Sequence, residues 1–118
     1  MAYEIPGMQI SLEAAVDLST KQFHFVKLDG NGRIIAIAAG TDKPIGILQD
    51  KPKQGAAGNV MLDGVSKLVS DVAIPAGSGV GTSADGQGTI GGTLGQALKT
   101  TNAAGEMATV AFSCIRPS

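Results

Sequence analysis

The chain has 118 residues, a mass of 11.8 kDa and a net charge of −1 from nine basic and ten acidic side chains. That length suits one domain burying about two-thirds of its unfolded surface, and its scattered lysines form no cationic patch able to neutralise phosphates, so nucleic-acid binding is not expected. One cysteine, Cys114, excludes an intrachain disulfide framework, and no apolar run approaches the roughly 20 residues of a membrane helix.

The chain opens with "MAYEIPGMQI" (1–10). It has neither a positive n-region nor an apolar h-region, so it does not read as a signal peptide. The protein is therefore expected to be made and kept in the cytoplasm, or in a particle assembled there. Pro6-Gly7 prevents a helix, while Tyr3, Ile5, Met8 and Ile10 are apolar for a free tail. The segment reads as an extended arm or as an ordinary first strand.

Residues 8–24 lie within the longest stretch without Gly or Pro. Within it "SLEAAVDLSTKQ" offers a place for one or two helical turns, with Ser11 as N-cap. Beyond it, short β-rich runs alternate with turn residues. "FHFVKL" (23–28), "RIIAIAA" (33–39), "PIGILQD" (44–50), "NVMLDG" (59–64) and "SKLVSDV" (66–72) are predicted strands, as are "GTI" (88–90), "TLGQALK" (93–99) and "EMATVAFSCI" (106–115). In the last, Ala108, Val110, Phe112 and Cys114 share one face by period two, and that face is predicted to point inward.

"DGNGRI" (29–34) and "DGQGTI" (85–90) pose a choice between a calcium loop and a repeated hairpin. An EF-hand loop needs oxygen ligands at positions 1, 3 and 5, Gly at 6 and Glu at 12. Here position 5 is Arg33, position 6 is Ile34 and position 12 is Gly40. The hairpin fits: Asp-Gly and the second Gly supply the positive φ of a tight turn. The match of Asp29, Gly30, Gly32 and Ile34 to Asp85, Gly86, Gly88 and Ile90 is one block of an internal repeat. Gly46 to Gly95, and Ala56-Ala57-Gly58 to Ala103-Ala104-Gly105, are two more. The predicted architecture is all-β: a small Gly-rich barrel or sandwich over residues 23–118, with halves at about 23–64 and 78–115 and a lead-in over 1–22.

No catalytic set is readable. His24 is the only histidine, between Phe23 and Phe25, and without clustered carboxylates it gives no metal site. Cys114 reads as a buried hydrophobe rather than a nucleophile. "GSGVG" (77–81) and "GTIGGTLG" (88–95) lack the Gly-Lys-Ser/Thr ending of a phosphate loop. Lys51-Pro52-Lys53 reads as a solvated loop. No enzyme, cofactor or metal is expected.

The blocks "IPAGSGVGTSADGQGTI" and "GQALKTTNAAGEMATVAF" resemble the small decoration, or cement, proteins of tailed-bacteriophage heads, over roughly residues 23–115. The resemblance implies a compact β-barrel or β-tulip (β-clip-like) body with an extended N-terminal arm. It implies binding to the outside of the expanded capsid, often as a homotrimer, to brace major capsid subunits against DNA pressure, with no nucleic acid or membrane as partner. Tyr3, Glu4, Ile5, Pro6, Met8 and Ile10 are then the expected capsid contacts. Rival classes are another virion part, such as a head-fibre base or tail module, a small-ligand barrel, which would want more aromatic walls, and an enzyme using His24 or Cys114.

Overall fold

The computed structural model describes residues 5–114, and their side chains from Gly7 onward. These residues contain no helix and form eleven strands: β1 Ile5–Pro6, β2 Gln9–Glu13, β3 Phe25–Leu28, β4 Ile34–Ala36, β5 Gly46–Leu48, β6 Ala57–Met61, β7 Asp63–Val69, β8 Gly79–Thr82, β9 Gly88–Ile90, β10 Gly95–Ala97 and β11 Met107–Ser113. They build two antiparallel sheets, ordered β2-β6-β5-β3-β4 and β1-β7-β11-β10-β8-β9. A single parallel bridge links Ala14, just beyond β2, to Ile34 of β4, and another links Ser70, just beyond β7, to Gly88 of β9. The strands from β2 to β4 and from β7 to β9 thus curl until the outer two of each set touch, without forming a closed barrel. The all-β expectation holds.

Apart from β1, the two sheets have the same strand order. The chain is a duplicated five-strand unit: half 1 is β2–β6 and half 2 is β7–β11. The first strand of each unit, β2 or β7, and the glycine-rich β8 were outside the repeat or unread as strands in the sequence. The hairpin match is also out of step with the backbone. In the first hairpin the Asp29 N–H donates to the Arg33 carbonyl at 2.8 Å, and Asp29 Oδ1 accepts from the Asn31 and Arg33 N–H groups at 2.8 and 2.9 Å. In the second, Ser83 fills that role: its N–H donates to the Gln87 carbonyl, and its Oγ accepts from Asp85 and Gln87. Gly32 (φ 77) therefore corresponds to Gly86 (φ 83), and Asp29 to Ser83 rather than to Asp85. The turn requires an oxygen at its start and a left-handed residue three positions on; a flanking glycine can drift.

The Ala-Ala-Gly block shifts likewise. Gly55 and Gly105 both have φ 85, and their N–H groups donate to the Ala14 and Ser70 carbonyls, so Gly105 corresponds to Gly55 rather than Gly58. Gly46 and Gly95 do correspond. A Cβ on either would strike the facing strand at the Met61 or Ala111 carbonyl, so only glycine lets these strands cross so closely.

Residues 5–13 lie antiparallel along 57–65, with Ile5 opposite Val65, Gln9 opposite Met61 and Glu13 opposite Ala57. The ribbon is continuous through the Leu62 N–H to Met8 carbonyl bond. The expected helical turns do not form: Ser11 to Glu13 are strand, Ala14 bridges Ile34, and irregular turns follow. Pairing with β6 overrides the helical preference of "SLEAA". The described part of the expected arm, from Ile5 on, is paired to the body; Tyr3 and Glu4 lie outside the described residues.

Half 1 has its own core of Ala14, Leu18, Val26, Ile34, Leu48, Val60 and Leu62. Half 2 carries Gly88 and Ala97 where half 1 has Ile34 and Leu48, and its interior is completed from outside. Phe25, Ile37, Ile47 and Met61 of half 1 share one cluster with Leu68, Ile74, Val80, Val110 and Phe112 of half 2. The rings of Phe25 and Phe112 meet edge to face, 6.5 Å apart at 81°. Two backbone bonds seal the join: Phe25 N–H to the Gly86 carbonyl (2.7 Å) and Val69 N–H to the Phe23 carbonyl (2.9 Å).

Candidate functional site

His24 is buried at the start of β3, where its Nδ1 lies 3.0 Å from the Gln22 carbonyl and donates to it in the neutral ring. Burial pushes its pKa below the ordinary imidazole value, and the Gln22 bond only partly offsets that. The ring is therefore neutral at pH 7. Cys114 is buried in the half 2 cluster beside Phe112, and the inward face read from period two is correct for Ala108, Val110, Phe112 and Cys114. Neither His24 nor Cys114 lines the groove described below. Among the described residues, no three His, Cys, Asp or Glu side chains converge as metal ligands.

The "DGNG" turn is the hairpin read from sequence. Its Asp29 carboxylate is spent on the Arg33 and Asn31 N–H groups, which hold its pKa below the usual carboxylate range. The Arg33 guanidinium lies 3.3 Å away.

An open groove of about 420 Å³ runs between the halves, from the 40–44 loop to β8, β9 and the 91–94 loop. Its ionisable residues are Asp42 and Lys43. Asp42 is committed to structure: it pairs with Lys27 at 2.8 Å and accepts from the Ala38 and Ala39 N–H groups. The Lys27 bond, then that of Ala38, holds its pKa low. The remaining wall is glycine, threonine, Pro44, Leu94 and the exposed Ile90. Such a wall can bind by shape, and beside Lys43 its polar groups are threonine hydroxyls and backbone.

What the surface does offer is apolar side chains in water. Met8, Ile10, Val16, Leu28, Val72, Ile90, Leu98 and Met107 are all exposed. Of the residues expected to make contacts, Met8 and Ile10 share one side of the β2 edge by period two. The Met8 N–H is held by Asp63 Oδ1 at 2.7 Å. Ile5 and Pro6 lie in β1, away from β2's sheet. Leu28, Leu98 and Met107 were not singled out in the sequence, because a strand leucine or methionine reads as core until its partner face is known.

No known protein family matches the chain, and no curated protein matches it. Among solved structures it is similar to the N base of the head fibre gp8.5 of bacteriophage phi29, with a TM-score of 0.67 and 15% identity over 94% of this chain and 98% of that one. At that identity the likeness is one of fold, and it extends over nearly the whole of both chains.

Proposed function

We propose that this protein is a non-enzymatic part of a bacteriophage virion, a decoration protein that binds the outer surface of the mature head as a homotrimer. It bridges neighbouring major capsid subunits and braces them against internal DNA pressure, and it assembles onto heads in the host cytoplasm. The observation that carries this reading is the fold shared over 94% of the chain with the base of a phage head fibre. The exposed apolar side chains agree with it, since adhesion needs contact area and no reactive group.

The mechanism is mass action. A ligand that binds only the mature lattice stabilises it by RT ln(1 + [L]/Kd), about 2.7 kcal/mol at a hundredfold excess over Kd. Three linked copies raise the effective affinity without any new kind of contact. No covalent bond is made or broken.

A second reading, a head-fibre base, is favoured by the neighbour itself being one. The two part in one experiment. Purified protein is added to undecorated mature heads, which are then sedimented and heated. A decoration protein co-sediments and raises the temperature at which heads release DNA. A fibre base co-sediments and leaves that temperature unchanged. Failure to co-sediment contradicts both.

A further inference from the structure

Half 1 covers half 2 within the chain, and duplication leaves a second copy of each of the two surfaces uncovered. On the half 2 side, the covered positions include Ser66, Leu68, Thr82 and Phe112, all buried. Gln49 of half 1 reaches this surface, where its Nε2 donates to Ser66 Oγ at 3.0 Å. The strand registers put Ile10, Leu12, Leu28 and Leu62 at the same four positions in half 1. There Leu12 and Leu62 are taken up by the half 1 core, while Ile10 is 37% exposed and Leu28 43%, and Met8, in the place of Gly64, is 53% exposed. The uncovered copy of the surface is the more apolar one.

The covering surface is duplicated too. Gln49 N–H donates to the Asn59 carbonyl and Leu98 N–H to the Thr109 carbonyl, so Leu98 stands in half 2 where Gln49 stands in half 1. Leu98 is 39% exposed, and the exposed Met107 lies diagonally across the β10–β11 ladder from it. The polar pair Gln49–Ser66 inside the chain thus has an apolar counterpart, Leu98 and Ile10, with both members in water. The strand edge tells the same story. The outer edge of β7 is occupied by β1 at Val65 and by the Phe23 carbonyl at Val69. The outer edge of β2, at Gln9, Ser11 and Glu13, carries no strand among the described residues, and such an edge is a ready site for association.

We propose that copies of this chain associate head to tail. The half 2 face bearing Leu98 and Met107 seats on the half 1 seam of the next copy, at Met8, Ile10 and Leu28. The contact repeats between chains the Gln49–Ser66 meeting of the halves; it does not repeat the filling of the core, because Gly79, Gln96 and Ala111 stand in half 2 where Phe25, Ile47 and Met61 stand in half 1. A second copy is the occupant because Leu98 and Ile10 hold the places of Gln49 and Ser66, which meet within the chain, and because both members of that pair have turned from polar to apolar. Pairing of unlike faces closes into a ring when the rotation permits. For the number of copies in that ring the inference rests on the trimer proposed above; the contact itself does not. It assigns Met8 and Ile10, expected from sequence to touch capsid, to a neighbouring copy.

Variants with one added cysteine test the contact. Ile10→Cys and Leu98→Cys both lie at exposed positions, and the native Cys114 is buried. On mild oxidation, a mixture of the two variants should form the disulfide-linked dimer several-fold faster than either variant alone. Ile10→Lys and Leu98→Glu should each sediment as monomers while keeping the wild-type circular dichroism, and mixing them should restore association. Equal cross-linking in the mixed and unmixed samples overturns the proposal, as does a wild-type protein that sediments as a monomer at millimolar concentration. Neither measurement uses capsid. Failure here leaves the head-surface reading standing, and failure to bind heads leaves this contact standing.

Discussion

Phe25 is the side chain on which the joining of the halves turns. It belongs to half 1, yet it is buried against Phe112 in the core of half 2. Phe25→Ala should lower the unfolding free energy by about 3–5 kcal/mol, and Phe25→Leu by clearly less; urea denaturation measures both. His24 sets a pH dependence. Its folded pKa is depressed by burial, so the unfolded chain binds the proton more tightly. Stability is then complete above the ordinary imidazole value of about 6.5 and is lost as pH falls from there through the lowered folded value. The thermal midpoint should fall between pH 7.5 and 5 in the wild type and stay flatter in His24→Gln. Asp29, Asp42 and Asp17 also have depressed pKa values, from bonds to Arg33, Lys27 and Ser19 respectively. Their contribution is present above the ordinary carboxylate value of about 3.9 and is lost in stronger acid, a separate step that His24→Gln retains. At this scale the sequence was legible where neighbours along the chain decide the outcome: the Asp29 turn, and the inward face of the last strand. It was silent on Phe25, because nothing local says that its ring serves the other half.

At the scale of elements, eight of the strands were legible from β-rich runs between glycines, and the backbone explains the misses. β2 carries a helix-prone sequence but is held as strand by β6 and the Ala14–Ile34 bridge. β8, Gly79–Thr82, alternates the β-formers Val80 and Thr82 with Gly79 and Gly81, which lie against Gly92 with no room for a Cβ, and those glycines masked the strand. Phe23, at φ 60, takes the left-handed conformation that Gly77, at φ 88, takes in half 2; Lys67, 5.6 Å from its ring centre, helps hold it there. Two glycine substitutions separate conformational strain from collision. Gly105→Ala meets only its positive φ, with open space around the new Cβ, and should cost about 1–2 kcal/mol. Gly86→Ala meets the same strain and also brings its Cβ to 2.6 Å from the Phe25 carbonyl, at the join between halves. It should cost distinctly more, and equal losses in urea melts would contradict this account of the turn.

The whole molecule is two copies of one unit that differ in what fills them, half 1 by its own side chains and half 2 partly by those of half 1. The halves should therefore unfold as one. In native-state hydrogen exchange, the Phe25 and Val69 amides that cross the join should exchange only by global opening, together with the centre of β11. Release of half 2 amides in a separate, lower-energy step would show the halves to be independent. The repeat itself was visible in the sequence, but its register was not, because abundant Gly and Ala allow several alignments that only the hydrogen bonds distinguish. The exposed seam was likewise illegible: Met8, Ile10, Leu28 and Leu98 become a surface only when the second copy of each position is seen to be covered. The proposed role of this duplicated body is adhesion to a phage head. Its most direct test is electron cryomicroscopy of undecorated mature heads mixed with the purified protein. The account predicts ordered density of this fold on the outer surface, bridging capsid subunits in clusters of three. Bare heads at saturating protein would contradict it.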